Sequence, residues 1–312
     1  MSVIMPCFNS GDRVKNAVDS AINQSYPPLE IIVIDNGSDV PIAADAFGTN
    51  DVIVRVLRID GNRGPAFARN VGISAARGDV IALLDPDDVW LYDKLKSQIS
   101  LLDRSMHSAV SCGWLETDEA GKFLKVRVPR DSRQPLDFAA GCWFSPGSTL
   151  LITRRSFEIV GLFNYDLCRL SDYEWFLRFA LAGGQISVVP EAAVIISAGK
   201  RASLDAVKHA KTEIENNLDN ARYRKAGRRF RRMAEALLWL ELSKAAQNEH
   251  RFLWMTLYLL RSIILKPRLR LSLEKWWTIK RKHAGGREFS VYSSPCPRAS
   301  EYSSFTGRRA QD

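Results

Sequence analysis

The sequence predicts an α/β protein: a mostly parallel sheet covered by helices on both faces, followed by a basic helical extension. Three observations carry this. Short β-branched runs alternate with helical patterns over the first 90 residues, as in parallel sheets with crossover helices. At 312 residues, with 46% hydrophobic and 25% charged, the chain has ordinary globular composition and enough length for a sizeable core. The charge is divided: 25 Lys and Arg stand against 11 Asp and Glu from residue 200 onward, and 19 against 24 before it. The net charge of +9 thus describes an acidic body with a basic C-terminal third, two parts suited to different partners.

The elements follow in order. "SVIMP" is the first strand. "DRVKNAVDSAINQ" has helical spacing through Val14, Ala17, Val18, Ala21 and Ile22, with Asp12 as its N-cap. "EIIVID" and Asp51 to Ile59 are the second and third strands. Gly64 to Gly78 reads as a helix opening at Pro65 and closing at a glycine, and "DVIALLD" is the fourth strand. From Val110 to about Ile196 the pattern loosens into strands ("AVSCGWLETD", "FLKVRV", "STLLIT", "ISVVP") and two helices ("RRSFEIVG", "DYEWFLRFALAGG"). After Ser203 the chain reads as three or four helical segments. The closing Ser/Pro/Gly/Arg-rich stretch has little to bury and is expected to be disordered. The expected parts are residues 1–200, 201–283 and 284–312.

Several classes are excluded. "MSVIMP" is already apolar and lacks a basic n-region, so no secretory signal is expected. The longest apolar run, Phe252 to Leu265, has 14 residues and is broken by Arg261, too short to span a bilayer. Five scattered cysteines without CxxC or Cys/His spacing fit reduced cytosolic thiols rather than a disulfide frame or a zinc site. No GxGxxG follows the first strand, which argues against a dinucleotide site. A nucleotidyltransferase would want a glycine-rich basic loop there, and "PCFNSGDRV" is not one.

In such sheets ligands bind at the carboxyl ends of the strands. Three strand ends are polar: Pro6-Cys7-Phe8-Asn9, Asp35-Asn36-Gly37-Ser38 and Asp85-Pro86-Asp87-Asp88. They are expected to face one crevice. The last raises the sharpest question, because like charges that close repel. One reading is a turn and helix cap, the helix starting near Leu91. The other is a divalent-cation site, where carboxylates and substrate phosphates share a hard ion.

Residues Ser2 to Asp39, then "NRGPAFARNVGISAARGDVIALLDPDDVW" and "VGLFNYDLCRLSDYEWFLRFALAGGQISVVPE", resemble in order and spacing the family-two nucleotide-sugar glycosyltransferases of GT-A fold. The resemblance covers about residues 1 to 200 and implies a Rossmann-like mixed sheet flanked by helices, with the helical extension beyond it. It also implies a nucleoside-diphosphate-sugar donor and a Mn²⁺ or Mg²⁺ ion on Asp88, with Asp87 beside it near ribose and metal and Asp85 supporting from behind. The nucleotide would lie against Pro6, Phe8 and Asn9, with Phe8 stacked on the base; a core aromatic is the alternative reading of Phe8. Asp35 and Asn36 stand where the family has two acids, and an amide at Asn36 still accepts the N3–H of uracil or thymine. Arg63 and Arg69 are within reach of the diphosphate or are solvated surface groups. Asp172, in a Ser171-Asp172 pair where the family has Glu-Asp, is implied as the base taking a proton from the acceptor hydroxyl; as a bare motif it would only cap a helix. Glu174 is a supporting or surface acid.

Two family features are missing. No His follows the strand near Val194, leaving Lys200, Arg201 or nothing for its task, and the Gln-x-x-Arg-Trp motif of processive synthases is absent. One sugar per encounter is therefore expected, with inversion, onto a glycan or lipid-linked oligosaccharide acceptor of surface or exported polysaccharide. A catalytically degenerate nucleotide-sugar-binding partner protein is the alternative. No nucleic-acid partner is expected. The basic third interleaves arginines and lysines with Leu253, Trp254, Leu257, Leu260, Ile264 and Leu265 at helical spacing. That suits packing on the catalytic part and also peripheral contact with an anionic membrane, placing the protein in the cytoplasm at the inner membrane face.

Overall fold

A computed structural model describes residues 1–48, 51–104, 107–118, 121–132, 134–145, 147–197, 202–218, 226–266 and 277–280. The first half alternates as expected: β1 (Ser2–Cys7), α1 (Arg13–Ile22), β2 (Glu30–Asp35), a 3₁₀ turn (Ala44–Phe47), β3 (Ile53–Arg58), α2 (Pro65–Ala75) and β4 (Val80–Leu83). Asp12 precedes α1 but makes no side-chain cap bond. A two-residue strand, β5 (Val89–Trp90), comes before α3 (Lys94–Ile99), so the helix expected at Leu91 starts three residues later. Then come β6 (Ser108–Thr117), β7 (Phe123–Pro129), α4 (Pro135–Ala139), β8 (Leu151–Thr153), α5 (Arg154–Val160), α6 (Ser171–Leu181) and β9 (Gln185–Ser197). The C-terminal elements are α7 (Leu204–Leu218), α8 (Arg228–Asn248), α9 (Phe252–Leu265) and β10 (Trp277–Lys280).

The sheet order is β10-β7-β6-β8-β4-β1-β2-β3, with β9 beside β6 and β5 beside β9. Strands β4, β1, β2 and β3 are parallel, whereas β8 is antiparallel to both β4 and β6, so the sheet is mixed. Alternation along β1 sorts the core: Val3 and Met5 pack with Val14, Ala17 and Val18 of α1, and Ile4 faces Ala66 and Ile73 of α2. On the second face an aromatic cluster supports α6. Phe144 meets Phe176 edge-on at 4.6 Å between centroids, and the Trp175 indole donates to the Gly161 carbonyl at 2.7 Å.

Strand β9 runs past the Pro190 at which its sequence pattern ends. Its register against β6 shifts between Cys112 and Trp114, where a Cβ on Gly113 would come within 2.9 Å of the Glu191 carbonyl oxygen. The irregularity accommodates the proline, and the strand continues to Ser197 at the cavity rim. At the other end of the chain, Trp277–Lys280, within the stretch expected to be helical, pairs antiparallel with Val126–Pro129 of β7. Lys200 and Arg201, and the residues beyond Lys280, lie outside the described residues.

The turn after β2 tests this packing. Gly37 has φ +77°, and a Cβ there would lie 2.4 Å from the Gly61 carbonyl carbon, a backbone atom that cannot swing aside. Gly37→Ala is expected to lose more than about 1 kcal/mol of stability in chemical denaturation, since both the conformation and the space are unfavourable.

Candidate active site

The carboxyl ends of β1 and β4 open on one cavity of about 800 Å³. Its walls come from distant segments: the end of β1, the start of α2, the 85–88 loop, the turn before β8, the start of α6, the end of β9, and α8. Pro6 and Phe8 line it, and Phe8 is 44% exposed, so its ring is no core aromatic.

Arg69 is the cavity's internal tie. Its Nη1 donates to Asp172 Oδ1 and its Nη2 to Asp85 Oδ1, each at 2.9 Å, with the arginine side chain only 7% exposed. Burial alone would lower its pKa, but Asp172 and then Asp85 outweigh this and keep it firmly protonated. Arg69 therefore joins two carboxylates from opposite walls. Arg63 instead lies over the Phe67 ring at 4.1 Å.

Asp88 is buried. Ser148 Oγ donates to its Oδ2 and the Ser197 amide to its Oδ1 at 3.1 Å. Its pKa is raised well above the carboxylate range, first by burial and then by repulsion from Asp85 and Asp87. Asp87 is raised as well, through burial and then Asp85. The sequence held no local signal for Ser148 or Ser197: each is delivered by a loop or strand end more than fifty residues away. Trp90 helps place the first, its indole donating to the Ser148 carbonyl at 2.8 Å. Gly147 lets the same turn approach, because a Cβ there would sit 2.9 Å from Asp85 Oδ2. Among the described residues no three His, Cys, Asp or Glu side chains converge as a closed metal cage.

Asp35, Asn36 and Asn9 stand just behind the cavity rather than in its lining. Asp35 accepts from the Ser38 amide at 2.9 Å, the Ile42 amide at 3.2 Å and Arg58. Burial would raise its pKa, but these bonds outweigh it and hold the carboxyl below its usual value. The Asn36 amide is engaged with the loop before α2: Nδ2 donates to Asn62 Oδ1 and the Gly64 carbonyl, and Oδ1 accepts from the Arg63 amide. Asn9 pairs with Asp39 through its side chain and donates its amide to Ser38 Oγ at 3.0 Å, so the β1 and β2 ends brace one another.

Ser171 and Asp172 open α6 and line the cavity. Leu170 before them has φ +60°, a conformation strained for leucine. Ser145, also lining the cavity, and Asn9 beside it share positive φ, which places three such non-glycine residues at one site. Glu174 points elsewhere: buried, it pairs with Arg178 at 2.8 Å, and Arg178 in turn caps the Val160 and Leu162 carbonyls. Leu237 and Glu241 of α8 complete the wall, a contribution no motif announced.

The Arg69 bridge yields a double-mutant cycle. Arg69→Met leaves two partly exposed carboxylates beside Asp87 and Asp88 without their cation, and should destabilise the fold. Adding Asp172→Asn should recover part of that loss, with a coupling of about 0.5–3 kcal/mol in urea unfolding. Strict additivity would show that the bridge is energetically idle.

The comparisons with known proteins come to the same place. The family model "Glycosyl transferase family 2" matches residues 2–160. An uncharacterized glycosyltransferase, RP339, of Rickettsia prowazekii is 31% identical over 186 residues, covering 57% of this chain and 58% of that protein, so this chain matches little more than half of that relative's length. The succinoglycan biosynthesis protein ExoO of Rhizobium meliloti is 38% identical over 103 residues, or 33% of this chain and 30% of that one. In fold, the chain is similar to a mannosyltransferase from Pyrobaculum calidifontis solved with GDP-Man and Mn²⁺, with a TM-score of 0.56, 20% identity and 86% of each chain covered. With half of the chain matched by the family model, and the sheet and cavity built as described, the protein belongs to glycosyl transferase family 2.

Proposed function

We propose that this protein moves one sugar from a UDP- or dTDP-sugar to a hydroxyl of a glycan or lipid-linked acceptor, in the assembly of a surface or exported polysaccharide at the cytoplasmic side of the membrane. One observation carries the reading. Asp172 and the Asp85–Asp88 cluster share a single cavity, on either side of Arg69. A proton acceptor and a cluster suited to a cation and diphosphate thus face the same space.

The donor set fits a divalent cation. It consists of oxygens alone, and Asp87 and Asp88 are held in ionisation-hostile surroundings that a cation relieves. The open arrangement, rather than a closed cage, suits Mn²⁺ or Mg²⁺ completed by substrate phosphate. Asp88 would hold the ion with Asp87 beside it; when bound it neutralises charge on the departing diphosphate. Phe8 offers an exposed ring for a pyrimidine, next to Pro6. Asp35, Asn36 and Asn9 act at one remove, by bracing the loops around the nucleotide. Asp172 accepts the proton of the attacking hydroxyl, and Arg69 fixes its orientation. One base opposite the leaving group gives direct displacement with inversion. A second reading, an inert nucleotide-sugar-binding partner protein, draws on Asn36, whose amide is already engaged by the 62–64 loop.

A thermal-shift screen of UDP- and dTDP-sugars with Mn²⁺ identifies the donor, and turnover of that donor then separates the readings. Asp172→Asn should keep the donor-induced shift while turnover falls on the order of 100- to 10,000-fold. A variant retaining most of its turnover removes Asp172 from the role. A wild type that binds donor but never turns it over favours the inert reading.

Asp88 predicts a pH effect whose sign is fixed by its raised pKa. The folded state disfavours the ionised form, so stability falls as pH rises through the unfolded carboxylate value of about 3.9 toward the higher folded one. Without cation at pH 7, Asp88→Asn should therefore melt above wild type, with the gap closing in acid. Mn²⁺ should raise the wild-type midpoint and leave the variant unmoved. An equal Mn²⁺ response in both would sink the assignment.

A further inference from the structure

Helix α9 is apolar on nearly every side, yet among the described residues it is covered on only one. It packs on α8 along Met255, Tyr258 and Ser262. Ser262 Oγ donates to the Ala236 carbonyl at 2.6 Å, Ser243 Oγ to the Met255 carbonyl at 2.9 Å, and the Tyr258 ring lies 5.6 Å from that of Trp239. Away from that seam Leu253 is 72% exposed, Leu260 52% and Ile264 73%, with Phe252, Trp254, Leu257 and Ile263 also open. A helix hydrophobic all round belongs in an apolar environment, and contiguous exposed apolar surface marks a contact site.

Charge indicates what covers it. The bonds from Ser243 to Met255 and from Ser262 to Ala236 show that the two helices run antiparallel, so the end of α9 lies beside the start of α8. Arg228, Arg229 and Arg232 are exposed there, as is Arg261 of α9. Lys266 belongs to the same group: burial lowers its pKa, Asp137 opposes this, and nearby Arg229 lowers it further. The apolar face therefore ends in a basic rim. A second copy of the chain would bring the same arginines to the contact and no complement. An anionic lipid surface supplies both halves, acyl chains for the leucines and phosphates for the arginines. No helix among the described residues is long and apolar enough to cross a membrane, so the contact would be interfacial.

We propose that the open face of α9, with Arg228, Arg229, Arg232 and Arg261, seats the protein on an anionic phospholipid surface. The other side of α8 carries Leu237 and Glu241 into the cavity wall, so one helix joins the lipid-facing surface to the site. Resting on the transferase reading, this arrangement brings a lipid-linked acceptor to the cavity along the helix that lines it.

The test is co-sedimentation of the full chain with vesicles of phosphatidylcholine alone, or of phosphatidylcholine with phosphatidylglycerol. Binding is expected to the mixed vesicles only, and to weaken as NaCl is raised. Leu260→Glu with Ile264→Glu changes exposed positions, so the melting point should hold while vesicle binding is lost. Arg228→Gln and Arg229→Gln should each lower partitioning about fivefold. Failure of the folded wild type to sediment with either vesicle overturns the proposal, as does binding indifferent to the glutamate pair. So does a dimer in light scattering that the pair dissolves in a protein that ignores vesicles, because a second copy would then own the face. None of these readouts needs turnover, so an inactive protein that binds vesicles refutes only the transferase reading, and an active one that ignores them refutes only this one.

Discussion

The cavity depends on one buried guanidinium. Arg69 sits on α2, between a strand-end loop and the first turn of α6, and bonds a carboxylate from each. Four aspartates line this space, and without a fixed cation among them their mutual repulsion would drive the two walls apart. Arg69 compensates only part of that charge. Asp85 and Asp172 are satisfied by it, whereas Asp87 and Asp88 remain in surroundings that oppose ionisation. On the proposed reading, the second pair is the one that would receive a cation.

The remaining architecture serves to bring these groups together. The β1 and β2 ends brace each other through Asn9, Ser38 and Asp39, and Asn36 fastens the loop that launches α2. Thus Arg69 is aimed by contacts several residues from it. The aromatic cluster beneath α6 gives Asp172 a stiff platform, and the strained Leu170 sets the angle at which that helix begins. Strain of this kind persists only where its surroundings over-determine it.

The C-terminal helices are part of the same structure. Helix α8 buries Phe230, Ala234 and Leu238 against α6 and α7 and contributes to the cavity wall, while its far side carries α9. The region matched by the family model stops at residue 160, so this wall comes from a segment beyond that match.

Much of this was legible in the sequence, because it is local. Strand and helix alternation over the first 90 residues follows from periodicity, and the acidic strand end at Asp85–Asp88 announces itself by spacing alone. The basic, apolar C-terminal third is equally visible in composition. What the sequence could not determine is every relation between distant segments. Strand β5 is two residues held by β9, and Trp277–Lys280 becomes a strand only because β7 offers an open edge. The sequence offers Arg69 as a diphosphate ligand or a surface group; that it is buried and bonds Asp172, 103 residues away, is a relation only the fold supplies. Composition and periodicity are properties of neighbours along the chain, whereas the partners of a buried charge are chosen by packing. The sequence by itself thus determined the layers and the acidic strand end, and only the tertiary structure decided which charges face one another across the cavity.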